Sequence, residues 1–154
     1  MRILKMNNLM SKIYAPDSSL KDIELPESLK DVIKAGVVFC DGCYLLRSAF
    51  DKNTHIRLDQ CQDRTAYESL LNHIHIEDHG DDRLPVAFAL LSELSRLLKR
   101  EYPGVEFLGE ISSEPNGHEC VARFYSKHKG EPPRLVDDLE GYELNAVCLL
   151  DLSS

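Results

Sequence analysis

A chain of 154 residues with 43% hydrophobic and 29% charged side chains is long enough to bury one core unaided, and too ordinary in composition for wholesale disorder, collagen or a coiled coil. Its formal net charge of −8 repels nucleic-acid backbone and anionic lipid and favours encounter with basic partners, so neither nucleic acid nor membrane is expected as a ligand. No apolar run approaches the roughly 20 residues that span a bilayer, the opening "MRILKMNNLMSK" has no secretory pattern, and five cysteines, an odd number set mostly among apolar neighbours, suit a reducing compartment. The expectation is a single cytoplasmic domain over residues 1–154.

In chain order, residues 1 to 34 offer one short helix in "PESLKDVIKAG", with Leu29, Val32 and Ile33 on a common face and Gly36 closing it. "VVFC-DG-CYLLRSAF" then has Asp-Gly between two apolar runs, the pattern of a two-residue hairpin whose turn positions both need positive φ. That turn sets Cys40 opposite Cys43, Phe39 opposite Tyr44 and Val38 opposite Leu45, with the second strand running on towards Phe50 and both faces largely covered. "HIRLDQ" reads as a further strand. "DRTAYESLLNHI" carries Tyr67, Leu70, Leu71 and Ile74 at helical spacing, with Asp63 or Thr65 as N-cap and Glu68 as the capping-box partner of Thr65.

"LPVAFALLSELSRLLKREYPG" places Ala87, Leu90, Leu91, Leu94, Leu97 and Leu98 on one helical stripe, with Pro85 in the first turn, Lys99 and Arg100 in the last, and Pro103-Gly104 as the stop. Two alternating strands, "VEFLGEI" and "ECVARFYSK", flank the turn "SEPNG". Glu106 and Glu110 are set across from Arg123 and Lys127 on a solvated face. "NAVCLLDL" reads as a terminal strand interior to a sheet. Strands grouped around two central helices define an α+β domain with a mainly antiparallel sheet and the helices packed on one face.

The densest polar stretch is "HIHIEDHGDD" at 73–82. As a strand it points His73, His75, Glu77 and His79 one way; as a helix it pairs His75 with His79 and His73 with Glu77. Either arrangement offers nitrogen and oxygen ligands to zinc. The string resembles the His-x-His-x-Asp-His loop of the metallo-β-lactamase family, with His73, His75, Asp78 and His79 as the matching types and Glu77 as one additional residue. That resemblance implies a metal-dependent hydrolase with those four as ligands, and a general base at Glu77. The competing reading is a helix end closed by Gly80, with Asp81 or Asp82 capping the next helix.

"CDGC" at 40–43 has thiolate-converging spacing, yet zinc there would draw on Cys61 with His55 or His73, and hairpin packing explains the pair more simply. His55, His118 and His128 with Lys127 are the remaining acid–base residues, of a kind a small nuclease uses. The chain has no nucleophile elbow, phosphate-cradling glycine loop or dinucleotide fingerprint.

The last feature is charge. Glu131, Asp137, Asp138, Glu140, Glu143 and Asp151 stand against Arg134 alone, and Glu77, Asp78, Asp81 and Asp82 form a second acidic cluster. On one side of a fold these would steer and orient a basic protein. The leading expectation is therefore a non-enzymatic, cofactor-free protein-binding domain contacting its partner through Glu77, Asp78, Asp81, Asp82, Asp137, Asp138 and Glu140. In size and charge it is similar to bacterial immunity proteins and antitoxins, which cover the basic active site of a nuclease toxin domain. The alternative is the zinc hydrolase built on His73, His75, Asp78 and His79.

Overall fold

The structure, a computed structural model, describes residues 1–14, 23–79, 82–116 and 118–154. In chain order its elements are β1 (Arg2–Met6), α1 (Asn8–Ile13), α2 (Glu27–Ala35), β2 (Val37–Cys40), β3 (Cys43–Leu46), α3 (Arg47–Lys52), α4 (Arg64–Leu71), β4 (His73–His75), α5 (Arg83–Glu101), β5 (Phe107–Ser113), β6 (Cys120–Ser126) and β7 (Ala146–Asp151). Among the described residues, five strands form one antiparallel sheet in the order β1-β7-β5-β6-β4, and β2 and β3 form a separate hairpin. This is an α+β fold.

The hairpin has the register its turn chemistry dictates, Cys40 opposite Cys43 and Val37 opposite Leu46. Asp41 and Gly42 sit at φ 52° and 79°, the left-handed pair a tight two-residue turn requires. Strand β3 stops at Leu46, however, and Arg47–Lys52 winds into α3 rather than extending the strand. Six residues with adjacent Ala49 and Phe50 are too few for periodicity to distinguish the two. Phe39 lies exposed beside Tyr44, so the hairpin is not covered on both faces.

Helix α5 lies on one face of the sheet. Its stripe of Ala87, Leu90, Leu91, Leu94, Leu97 and Leu98 is buried throughout and packs in one cluster with Ile111, Ala122, Phe124, Cys148 and Leu150; each leucine so buried contributes about 1.5–3 kcal/mol. Gly109 permits the close approach, since a Cβ there would stand 2.9 Å from Leu152 and 3.1 Å from Leu91. Asp82 occupies the N-cap of α5 without a side-chain cap bond. Gly80, Asp81, Pro16 and Gly117 fall outside the described residues.

Helix α4 takes a different place, between the edge of β3 and the end of β6. Asn72, just past its last turn, accepts from the Leu46 N–H at 2.8 Å and donates to the carbonyls of Tyr44 at 2.7 Å and Phe124 at 3.2 Å. These bonds stop the helix before Ile74, which joins β4 and faces the core opposite Ala122. The expected extension of the helical stripe to Ile74 is thereby overridden by tertiary contacts. Likewise "HIRLDQ" is a turn with one 3-10 segment at Leu58–Gln60, not a strand, because Gln60 folds back to accept the Arg57 N–H at 2.9 Å.

The far face of the sheet is also less solvated than alternation suggests. Residues 132–142 cross it: Leu135 and Leu139 bury against Val147, while Arg134 and Arg123 both reach the buried Glu110. Glu106 and Lys127 keep the exposed pairing expected of them, at 2.7 Å. Strand β1, for which the sequence carries no strand pattern of its own, closes the β7 edge, and its exposed Arg2 and Lys5 suit an edge position.

Candidate functional site

The histidine string does not assemble. His73 and His75 lie on the outer side of β4, opposite Arg123 and Val121, with their rings 5.2 Å apart. The chain then turns through a 3-10 segment at Ile76–His79. Each histidine has its own partner: His73 Nδ1 donates to Leu70 O at 2.5 Å, His75 Nδ1 to Glu77 at 2.8 Å, and His79 Nδ1 is hydrogen-bonded to Ser28 Oγ at 2.6 Å. Asp78 is exposed. The four residues line one groove of about 290 Å³, but no three of them bring ligand atoms to a common point.

Glu77 is tied down as well. Its second oxygen accepts the Cys120 N–H at 3.0 Å. Partial burial works against ionisation there, and the bonds from Cys120 and His75 outweigh it, so the carboxyl titrates below its ordinary value. A residue expected as a free contact or a general base instead joins the turn after β4 to the start of β6.

The acidic residues separate into two places. Glu77, Asp78 and Asp82 lie by β4, at one edge of the sheet; Asp81 is outside the described residues. Asp137, Asp138 and Glu140 lie by β1 and the start of α1, at the other edge. Lys5 pairs with Asp137 at 3.6 Å, Asp138 accepts the Glu140 N–H at 3.1 Å, and Glu140 accepts the Asn8 N–H at 2.9 Å. Four strand spacings, roughly 19 Å, separate the outer strands. The two clusters therefore do not form one patch.

The second cluster sits on a rigid support. Buried Asn7 donates to the carbonyls of Asn145 at 2.7 Å, Tyr142 at 3.4 Å and Leu139 at 3.5 Å, and accepts from Met10 and Val147 N–H groups, each at 3.0 Å. With Leu139 buried beneath it, the loop is pinned at both levels. Val136 and Leu144 nevertheless point outward, 57% and 82% exposed, among Asp137, Asp138, Glu140 and Glu143.

A third cluster went unseen in the sequence. Glu68, expected as a capping-box partner of Thr65, is fully buried. Its carboxylate accepts the N–H of Tyr44 at 2.7 Å, the N–H of Ser126 at 2.5 Å and the Ser126 hydroxyl at 2.9 Å, and lies 3.3 Å from His128 Nε2. The N-cap is Asp63, one of the two expected, which takes the Ala66 N–H, and Glu131 takes those of Arg64 and Thr65. Burial pushes the Glu68 carboxyl up despite these bonds. Burial beside Glu68 pushes the Cys43 thiol up to about 12. The available signal was helical phase, since Glu68 falls between Leu71 and Asn72 on the wheel, in the middle of the buried arc.

A domain of this class, an antiparallel α+β sheet with a pinned acidic loop and a buried carboxylate clamp, defines a scaffold before it defines an activity. The chain matches the Uncharacterized protein PM0498 family over residues 5–154 and belongs to it. No curated protein and no solved structure matches it. Among the described residues, no helix is long and apolar enough to cross a membrane.

Proposed function

We propose that this domain binds a basic protein through the loop spanning residues 131–145. The observation that carries the reading is the exposure of Val136 and Leu144 on a loop whose sequence also carries Asp137, Asp138, Glu140 and Glu143. Protein interfaces combine apolar anchors at the centre with a polar rim, and charge complementarity sets encounter rate and register. The Asn7 bonds and the burial of Leu135 and Leu139 hold the loop in shape beforehand, which lowers the ordering cost of binding. An immunity- or antitoxin-type inhibitor that covers the cationic site of a nuclease toxin is the role this chemistry serves best.

On this reading the docking residues are those of one sheet edge. Asp137, Asp138 and Glu140 belong to the surface, joined by Val136, Glu143 and Leu144; Glu77, Asp78 and Asp82 lie at the opposite sheet edge and are not part of it. The test is comparative affinity capture from source cells with wild-type protein, a Val136→Asp/Leu144→Asp variant, and an Asp78→Lys/Asp82→Lys control. Retention of one basic protein by the wild type and the control, with its loss from the loop variant, is the expected result. Equal retention by all three, or loss only from the control, overturns the proposal.

A further inference from the structure

Cys43, Glu68 and His128 come from three separate elements and converge. Cys43 opens β3 and, by strand alternation, faces inward with Leu45 into the smaller core cluster. Glu68 projects from α4, and His128 lies two residues beyond the end of β6. One ligand atom from each lies within 4.8 Å of the others, the one such group among the described residues. Cys43 and Glu68 are 0% exposed and the His128 side chain 8%.

We propose that Cys43, Glu68 and His128 form a zinc(II) site that fastens the β2–β3 hairpin to the main sheet. The distances suit the ion. Zinc bonds of about 2.0–2.3 Å at tetrahedral angles put neighbouring ligand atoms about 3.3–3.6 Å apart. Glu68 Oε1 and His128 Nε2 already stand 3.3 Å apart, one edge of that tetrahedron. No separation in the group exceeds 4.8 Å, so closing the set to such edges takes only small side-chain adjustments.

The chemistry suits it too. A thiolate, a carboxylate and a neutral imidazole around a dication sum to no net charge, which makes burial far less costly than for the ions singly. The second carboxylate oxygen of Glu68 keeps the Ser126 N–H, a bond that orients the ligand in the way outer groups orient metal ligands generally. A cleft of about 220 Å³ lined by His128, Thr65, Ser126, Tyr125 and Glu131 touches neither Cys43 nor Glu68; on this proposal it is the side from which the ion and a water ligand enter past His128.

The test uses the metal alone on the full chain, purified without a histidine tag and stripped with chelator, then titrated with Co(II) and Zn(II). The wild type is expected to take one ion per chain, to show the intense visible bands of tetrahedral cobalt with a thiolate charge-transfer band, and to unfold at higher temperature when loaded. Cys43→Ser should lose the charge-transfer band, and His128→Ala should bind at least about tenfold more weakly. His128 is at the margin of the cluster, so His128→Ala carries the test if Cys43→Ser fails to fold. Wild-type protein that forms no cobalt complex, or one without the thiolate band, overturns the site. So does binding that survives both variants and disappears in His75→Ala/His79→Ala, which would return the metal to the histidine string.

Discussion

Glu77 carries a share of stability that depends on pH. Burial opposes its ionisation, but the Cys120 N–H and His75 hold the folded carboxyl below the ordinary 4.5. Between the folded value and 4.5 the unfolded chain binds more protons, so this contribution is fully present above pH 4.5 and is lost as the pH falls through the folded value. Glu77→Gln removes the ionisation, so chemical unfolding across pH 3 to 6 should show a shallower acid loss for the variant than for the wild type. Parallel curves would mean that Glu77 stabilises nothing through its charge. Glu77 also shows how much a residue string conceals: type and spacing suggest a base among histidines, whereas one oxygen is held by His75 and the other by a backbone N–H 43 positions away. Glu68 was concealed in a different way, since the capping-box pattern at its position is a real local preference that Asp63 and Glu131 satisfy instead.

Helix α4 acts as a polar clasp between elements. Glu68 and Asn72, four residues apart on one face, bond backbone groups of Tyr44 and Leu46 on β3 and of Phe124 and Ser126 on β6, standing in for strand pairing that the two sheets do not make. Removing either side chain leaves buried donors unmatched, and Glu68→Ala and Asn72→Ala should each cost about 2–3 kcal/mol in urea unfolding of metal-stripped protein. A loss under about 0.5 kcal/mol would show that water replaces the clasp. Gly109→Ala is expected to cost about 1–3 kcal/mol through collision with Leu91 and Leu152. Elements whose cause is local were legible: the Asp-Gly hairpin has its register to the residue, and α5 buries the stripe its periodicity marks. Elements set by their neighbours were not. Strands β1 and β4 are short edges recognisable only beside β7 and β6, and α3 replaces the end of a strand within six residues.

Over the whole molecule, the sheet separates charges that the sequence lists without position. The acidic residues by β4 and those by β1 lie at opposite edges, and the latter accompany the exposed Val136 and Leu144 on a pinned loop. Composition and net charge foretold an acidic surface; its division, and the part played by Val136 and Leu144, follow from the path of residues 132–142 across the far face. The measurement that tests the central claim most directly is the association rate of the captured basic partner with purified domain, followed against ionic strength. The expected result is a rate that falls steeply with salt for the wild type, and an Asp137→Lys/Asp138→Lys/Glu140→Lys variant that associates at least about tenfold more slowly with a flattened salt dependence. A wild-type rate indifferent to salt, or a variant that associates as fast, would contradict it.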